Sequence, residues 1–156
     1  MIYVFDTSPL STLFKNYYRK RFPTLWGHFD SIVEEGRIAS TREVLREIED
    51  GPVETLREWA KYQQDLFPAP TAQEGAFVAQ IYAVHHFQQN IEQQKLLKGG
   101  RNADPFVIAR AMADQRTVVT MELLKPNGAK IPNICQHFDV PCMGLERFME
   151  EEGWEF

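Results

Sequence analysis

The chain has 156 residues, 44% of them hydrophobic and 25% charged, with a formal net charge of −5 at pH 7. That is the make-up of one ordinary globular domain with a real core, and its acidic balance excludes a simple electrostatic nucleic-acid binder, which would be basic. No apolar run approaches membrane-spanning length and no charged leader is visible, so a cytoplasmic protein without membrane contact is expected.

Ile2 to Phe5 reads as a short buried strand that ends abruptly in Asp6-Thr7-Ser8. A helix is predicted from Pro9 to about Tyr18, with Leu10, Leu13, Phe14 and Tyr17 on its apolar side, and a second from Pro23 to about Glu35, closed by Gly36. Arg37 to Ser40 is a second strand, and Thr41 caps a helix over Arg42–Asp50. Beyond the Gly51-Pro52 break, a helix runs from Val53 to about Leu66. Thr71 and Glu74 form a capping box for another helix, which reaches about Gln89, with Gln88 to Gln94 extending or fraying it. Leu97 to Asn102 reads as a flexible loop. Asp104 at the N-cap and Pro105 at the first position open a helix to Asp114. Thr117–Thr120 is a third strand, followed by a loop from Met121 to Ile131 and a helical turn from Pro132. Val140 to Gly144 is a fourth strand, and Leu145 to Glu151 a closing helix.

Strands separated by helices imply right-handed crossovers. The expected fold is a three-layer α/β/α domain over residues 1–156, with a central parallel sheet of four or five strands and a helical insert at about 53–94. The expected strand order is second, first, third, fourth, which puts the switch point beside Asp6. The two cysteines, Cys135 and Cys142, show no metal-type or redox spacing and read as small core residues. The four histidines form no metal-binding motif.

Ligand crevices in such sheets lie beyond the carboxyl ends of the strands, so Asp6 stands where chemistry is expected, although capping the next helix is an equal use for it. A helix that precedes a parallel strand starts at that same edge, which brings Asp104 near Asp6; Glu122 follows the third strand by two residues. Glu47 borders the apolar face of its helix, and Glu43 shares its stripe, so either is a candidate fourth acid within what otherwise reads as a solvated charge run. Four carboxylates about 5 Å apart would repel by ~20 kcal/mol in total at an effective dielectric of ~20. That exceeds the ~5–15 kcal/mol net stability of a domain, so such a cluster calls for a hard divalent cation, Mg²⁺ or Mn²⁺.

Asp6-Thr7-Ser8, Val44-Leu45-Arg46-Glu47, Ala103-Asp104-Pro105-Phe106-Val107-Ile108-Ala109 and Val118-Val119-Thr120-Met121-Glu122 resemble, in order, the four acidic motifs of PIN domains, which include the VapC-type toxin nucleases. Lys130 to Cys135 and the segments around Trp26 and Trp59 further resemble a PIN-like branch. The resemblance implies a metal-dependent ribonuclease that hydrolyses phosphodiester bonds, with Asp6, Glu47, Asp104 and Glu122 as catalytic metal ligands. It also implies a toxin role, with an antitoxin protein as partner, and a homodimer. The chain departs from the family in carrying Glu122 where a typical member has Asp, and in the length of its helical insert. Thr7, Ser8 and Thr120 are candidates to orient water or phosphate oxygens, and Lys98, Arg101 and Lys125 to hold an RNA backbone. The run Lys15 to Arg21 interleaves aromatics with charge as single-strand-binding surfaces do, but its helix leads away from the rim, so it reads first as surface and second as a partner contact. Two rivals remain: a non-catalytic PIN-like module that binds RNA or protein, and a haloacid-dehalogenase-like phosphotransferase. The second lacks the Asp it needs two residues after Asp6, where Ser8 stands.

Overall fold

The computed structural model describes residues 1–98 and 102–156, the side chains of 96–98 excepted. In chain order the elements are β1 (Tyr3–Phe5), α1 (Thr7–Asn16), α2 (Pro23–Glu34), β2 (Ile38–Ala39), α3 (Arg42–Asp50), α4 (Glu54–Lys61), α5 (Ala72–Ala83), α6 (Gln88–Lys98), α7 (Asp104–Asp114), β3 (Thr117–Val119), α8 (Ile131–His137), β4 (Cys142–Met143) and α9 (Leu145–Glu151). Single 3₁₀ turns at Gln64–Leu66 and His85–Phe87 follow α4 and α5.

The sheet has four strands in the order β2-β1-β3-β4, and every pairing is parallel. Tyr3 stands opposite Ile38 on one side and Thr117 on the other. β1 therefore lies in the interior of the sheet and is wholly enclosed, as a strand covered by helices on both faces must be. Side chains alternate between the faces. Tyr3 and Phe5 both meet Phe148 of α9 edge-on, at 4.7 and 5.1 Å, and Phe5 also meets Phe29 of α2. α7 packs against β1 and β3, with α5 along its outer side. The result is three layers, α/β/α, as the alternation of elements predicts.

The ladder continues one residue past the strands. The Asp6 N–H donates to Val119 O at 3.0 Å and the Thr120 N–H to Met143 O at 3.0 Å, which fixes both residues at the carboxyl edge. At the same edge Ser40 Oγ donates to Phe5 O, and its N–H to Leu66 O, so the segment after α4 is tied to the end of β2.

Several boundaries differ from the sequence reading. α1 begins at Thr7, not Pro9, and ends at Asn16, because Pro9 fits within a first turn, where its missing N–H leaves no bond unmade. The helix predicted to end near Leu66 stops at Lys61. The long helix through Gln89 is two helices, α5 and α6, parted by a 3₁₀ turn at His85–Phe87, where Phe87 is buried in the core. α6 then runs through Lys98, into the stretch read as loop, whose positions 99–101 lie outside the described residues. Among the described residues no helix is long and apolar enough to cross a membrane.

The amino edge of the sheet is closed by a charged cluster. Tyr3 Oη donates to Glu152 Oε2 at 2.5 Å, and Arg37 Nη2 donates to the same oxygen at 2.6 Å. Burial pushes the Glu152 carboxyl up, but the bonds from Arg37 and Tyr3 outweigh it and hold the group below its ordinary 4.5. A carboxylate depressed on folding contributes stability that is complete above its unfolded value and lost as pH falls through the folded one. Tyr3→Phe is therefore expected to lower the unfolding free energy by about 1–2 kcal/mol at pH 7, and by clearly less at pH 3; urea unfolding at the two pH values measures this.

Candidate functional site

Asp6 occupies the N-cap position of α1, yet its side chain makes no capping bond. Its Oδ2 instead accepts from Thr120 Oγ1 at 3.0 Å and from Ser8 Oγ at 3.3 Å. Asp6 is only 3% exposed, so a carboxylate at this depth needs such donors. The hydroxyls are themselves held in place: Ser8 Oγ accepts the Met121 N–H, and Thr120 Oγ1 accepts the Glu122 N–H. Glu122 Oε2 then accepts the Ile131 N–H at 2.9 Å, which binds the loop after β3 to the start of α8.

Glu47 is oriented by Thr7, whose Oγ1 donates to Oε1 at 2.6 Å. Glu43 goes elsewhere: it pairs with Arg42 and lines a separate cavity of about 530 Å³. The choice between the two glutamates thus falls on Glu47 by position. Asp6, Glu47 and Glu122 come from three distant parts of the chain and line one cavity of about 810 Å³, beside Thr7, Ser8, Ser11 and Lys15.

Asp104 is placed differently from the sequence reading. It is the first residue of α7 rather than its cap; Ala103 takes the N-cap position, and the Asp104 N–H donates to Asn102 Oδ1 at 3.2 Å. The carboxylate points inward, fully enclosed, and its Oδ2 accepts from Asn90 Nδ2 at 2.9 Å and Gln94 Nε2 at 3.1 Å, both on α6. Two fixed amides thus draw the side chain away from the helix end. Asn90 also donates to Ala129 O and accepts from Tyr82 Oη and Asn102 Nδ2, so α5, α6 and the residues before α7 share one buried polar network. Burial first, and then the Asp104 charge, raises the Tyr82 phenol above its usual range, which keeps it a proton donor to Asn90. Asp104 does not line the acid cavity, but its field and that of Glu122 both reach the Cys135 thiol. That thiol is pushed up by its hydrogen bond with Cys142, then by burial, and then by the two carboxylates.

Of the other candidates, Thr7 and Ser8 line the cavity, whereas Thr120 is buried behind it. Lys125 is exposed and off the cavity wall. The Lys98 side chain and all of Arg101 lie outside the described residues. Sequence reasoning set Lys15 aside as distant, yet it lines the cavity. The signal was the spacing Thr7, Ser11, Lys15, which stacks one polar stripe along α1 beside its apolar face. Asn90 and Gln94 carried a similar signal, one turn apart within a stretch that looked merely polar.

The donors gathered here are carboxylate and hydroxyl oxygens, the set that a hard divalent cation takes. In donor chemistry the acids fit Mg²⁺ or Mn²⁺. As the side chains stand, no group of three or more His, Cys, Asp or Glu among the described residues is arranged to hold a metal ion.

Removing Asn90 takes donors from a buried carboxylate and from Ala129 O at once. Asn90→Leu is expected to lower the unfolding free energy by about 3–5 kcal/mol in urea unfolding. A loss under 1 kcal/mol would mean that the network does not hold Asp104.

No curated protein matches the chain. The family model described as a domain of unknown function, DUF4411, matches residues 3–156, nearly the whole length. The chain therefore belongs to the DUF4411 family.

Proposed function

We propose that this protein is a cytoplasmic, metal-dependent ribonuclease of PIN type. The observation that supports this reading most is the meeting of Asp6, Glu47 and Glu122 on one cavity at the carboxyl edge of a parallel sheet. That is where open α/β folds bind ligands. Asp6, Glu47 and Glu122 are the residues on that cavity that would hold Mg²⁺ or Mn²⁺; Asp104, which the resemblance adds to the set, would join them only by turning from the Asn90 and Gln94 amides. Such an ion supplies Lewis-acid polarisation of a phosphate oxygen and a water of lowered pKa.

The chain's own residues do the rest. Thr7, Ser8 and Thr120 fix the directions of Glu47 and Asp6 through their hydroxyls, so these carboxylates need not reorganise when a substrate arrives. Lys15, exposed on the cavity wall, offers positive charge to a phosphate. In the hydrolysis, water adds to phosphorus, one ester P–O bond breaks, and a phosphomonoester and an alcohol result. Asp6 would also accept a proton from the attacking water.

A second reading, a binding module without catalysis, draws on the enclosure of Asp104, whose Oδ2 is committed to two amides. Titration calorimetry with Mn²⁺ separates the two, since a binding-only module has no need to take up the ion.

The nuclease reading predicts RNA cleavage that EDTA abolishes and Mn²⁺ restores. Asp6→Asn and Glu47→Gln are each expected to reduce the rate at least about 100-fold. Cleavage by Asp6→Asn at the rate of the unaltered chain, in a matched preparation, would assign the activity to a contaminant.

A further inference from the structure

A third cavity, of about 750 Å³, lies where α1 ends against α4. Its floor is aromatic: Phe14, Trp26 and Trp59 pack together there, with Phe14 4.7 Å from Trp26 and 5.1 Å from Trp59. The Arg19 guanidinium lies 4.2 Å over the Trp26 ring and is held by Asp30 at 2.9 Å, so it forms part of a fixed surface. Two tyrosines stand up from that surface, Tyr18 at 65% and Tyr62 at 83% exposure, and Lys20 and Arg21 are exposed on the α1 side. Glu54 and Glu58 line the α4 side, Glu58 paired with Lys61.

This cavity adjoins the acid cavity. Asn16 and Val53 line the acid cavity, while their chain neighbours Tyr17 and Glu54 line this one; Lys15, Asn16, Glu54 and Thr55 form the exposed ridge between them. α1 has ten residues, so at ~1.5 Å per residue it spans ~15 Å from the Asp6 end to the tyrosines. At ~3.4 Å per stacked nucleotide that distance is four to five nucleotides.

We propose that this aromatic and basic surface is where single-stranded RNA is held as it leads away from the acid cavity, with bases stacked on Tyr18 and Tyr62 and phosphates on Lys15, Lys20 and Arg21. Exposed tyrosines carry large apolar faces to water, and a patch of this kind beside a cleft marks a binding surface. Stacking explains the aromatics, and phosphate pairing explains a basic edge on a chain whose net charge is −5. A duplex would bury its base faces and leave the tyrosines without partners, so the occupant is single-stranded. The inference rests on the ribonuclease reading for the choice of RNA and for what lies at the far end of the strand.

The test separates binding from cleavage. A fluorescent ten-nucleotide uridine oligoribonucleotide, titrated by anisotropy in EDTA with the Asp6→Asn chain, reads binding alone. Tyr18→Ala and Tyr62→Ala, checked for folding by circular dichroism, are each expected to weaken binding about five- to one-hundred-fold. Lys20→Gln with Arg21→Gln is expected to flatten the salt dependence of binding by ~1.4 in log–log slope. Unchanged affinity in both tyrosine variants, or equal affinity for a duplex, overturns the proposal. So does a change of oligomeric state on light scattering, which would make the surface an interface between copies. Binding that follows these expectations without any cleavage by the unaltered chain upholds this surface and removes the nuclease reading; cleavage without such binding does the reverse.

Discussion

A carboxylate taken out of water must be met by hydrogen-bond donors or by a cation, and this fold is arranged around meeting that demand twice. Asp6 sits at the end of an enclosed strand and Asp104 at the start of an enclosed helix. The donors come from far away in the chain: Thr120 from beyond β3 for Asp6, Asn90 and Gln94 from α6 for Asp104. Thr120 and Asn90 are in turn bonded to other groups, so neither acid can move without disturbing a network. Sheet order does the coarse positioning, since β1 lies beside β3 and their last residues share the carboxyl edge. Hydroxyls and amides then set the direction of each oxygen.

The kind of donor matters as much as its presence. A hydroxyl or amide fixes where a carboxylate points while leaving its charge in place, whereas a guanidinium cancels most of it. Donors of the first kind stand at Asp6, Asp104 and Glu47. At the opposite edge of the sheet, Arg37 meets Glu152 and the pair closes the amino end of β1 against the end of the chain. Both groups are assembled from distant parts of the chain, but of the two the rim is the one whose carboxylates face a cavity, the arrangement that attracts a divalent ion.

The architecture was legible because strands and helices alternate with distinct periods. The expected strand order, second, first, third, fourth, is the order found. Element ends were less legible. Pro9 marks a helix start in most contexts, yet here it lies in the first turn of α1, because Thr7 and Ser8 already have helical backbone. The division between α5 and α6 depends on Phe87 finding the core, a tertiary event with no local punctuation. Asp104 carried the local signature of a cap, and two amides on α6 draw it inward instead; a pairing across 14 and 10 residues leaves no mark in a window of one helix turn. Lys15 was misplaced for the opposite reason: distance along a helix was weighed, and the face that its i, i+4 stripe presents was not.

α6 is where stability and the site become inseparable. Among its described side chains, Asn90 and Gln94 are the enclosed ones, and both are polar. An apolar residue at either place would pack as well by volume, but would leave the Asp104 carboxylate short of donors at a depth where water cannot replace them. Selection for a more apolar α6 would therefore have to change Asp104 at the same time. Keeping an acid at the head of α7 obliges the fold to keep polar groups in its interior, and those groups position α6 beside the helix that carries the acid.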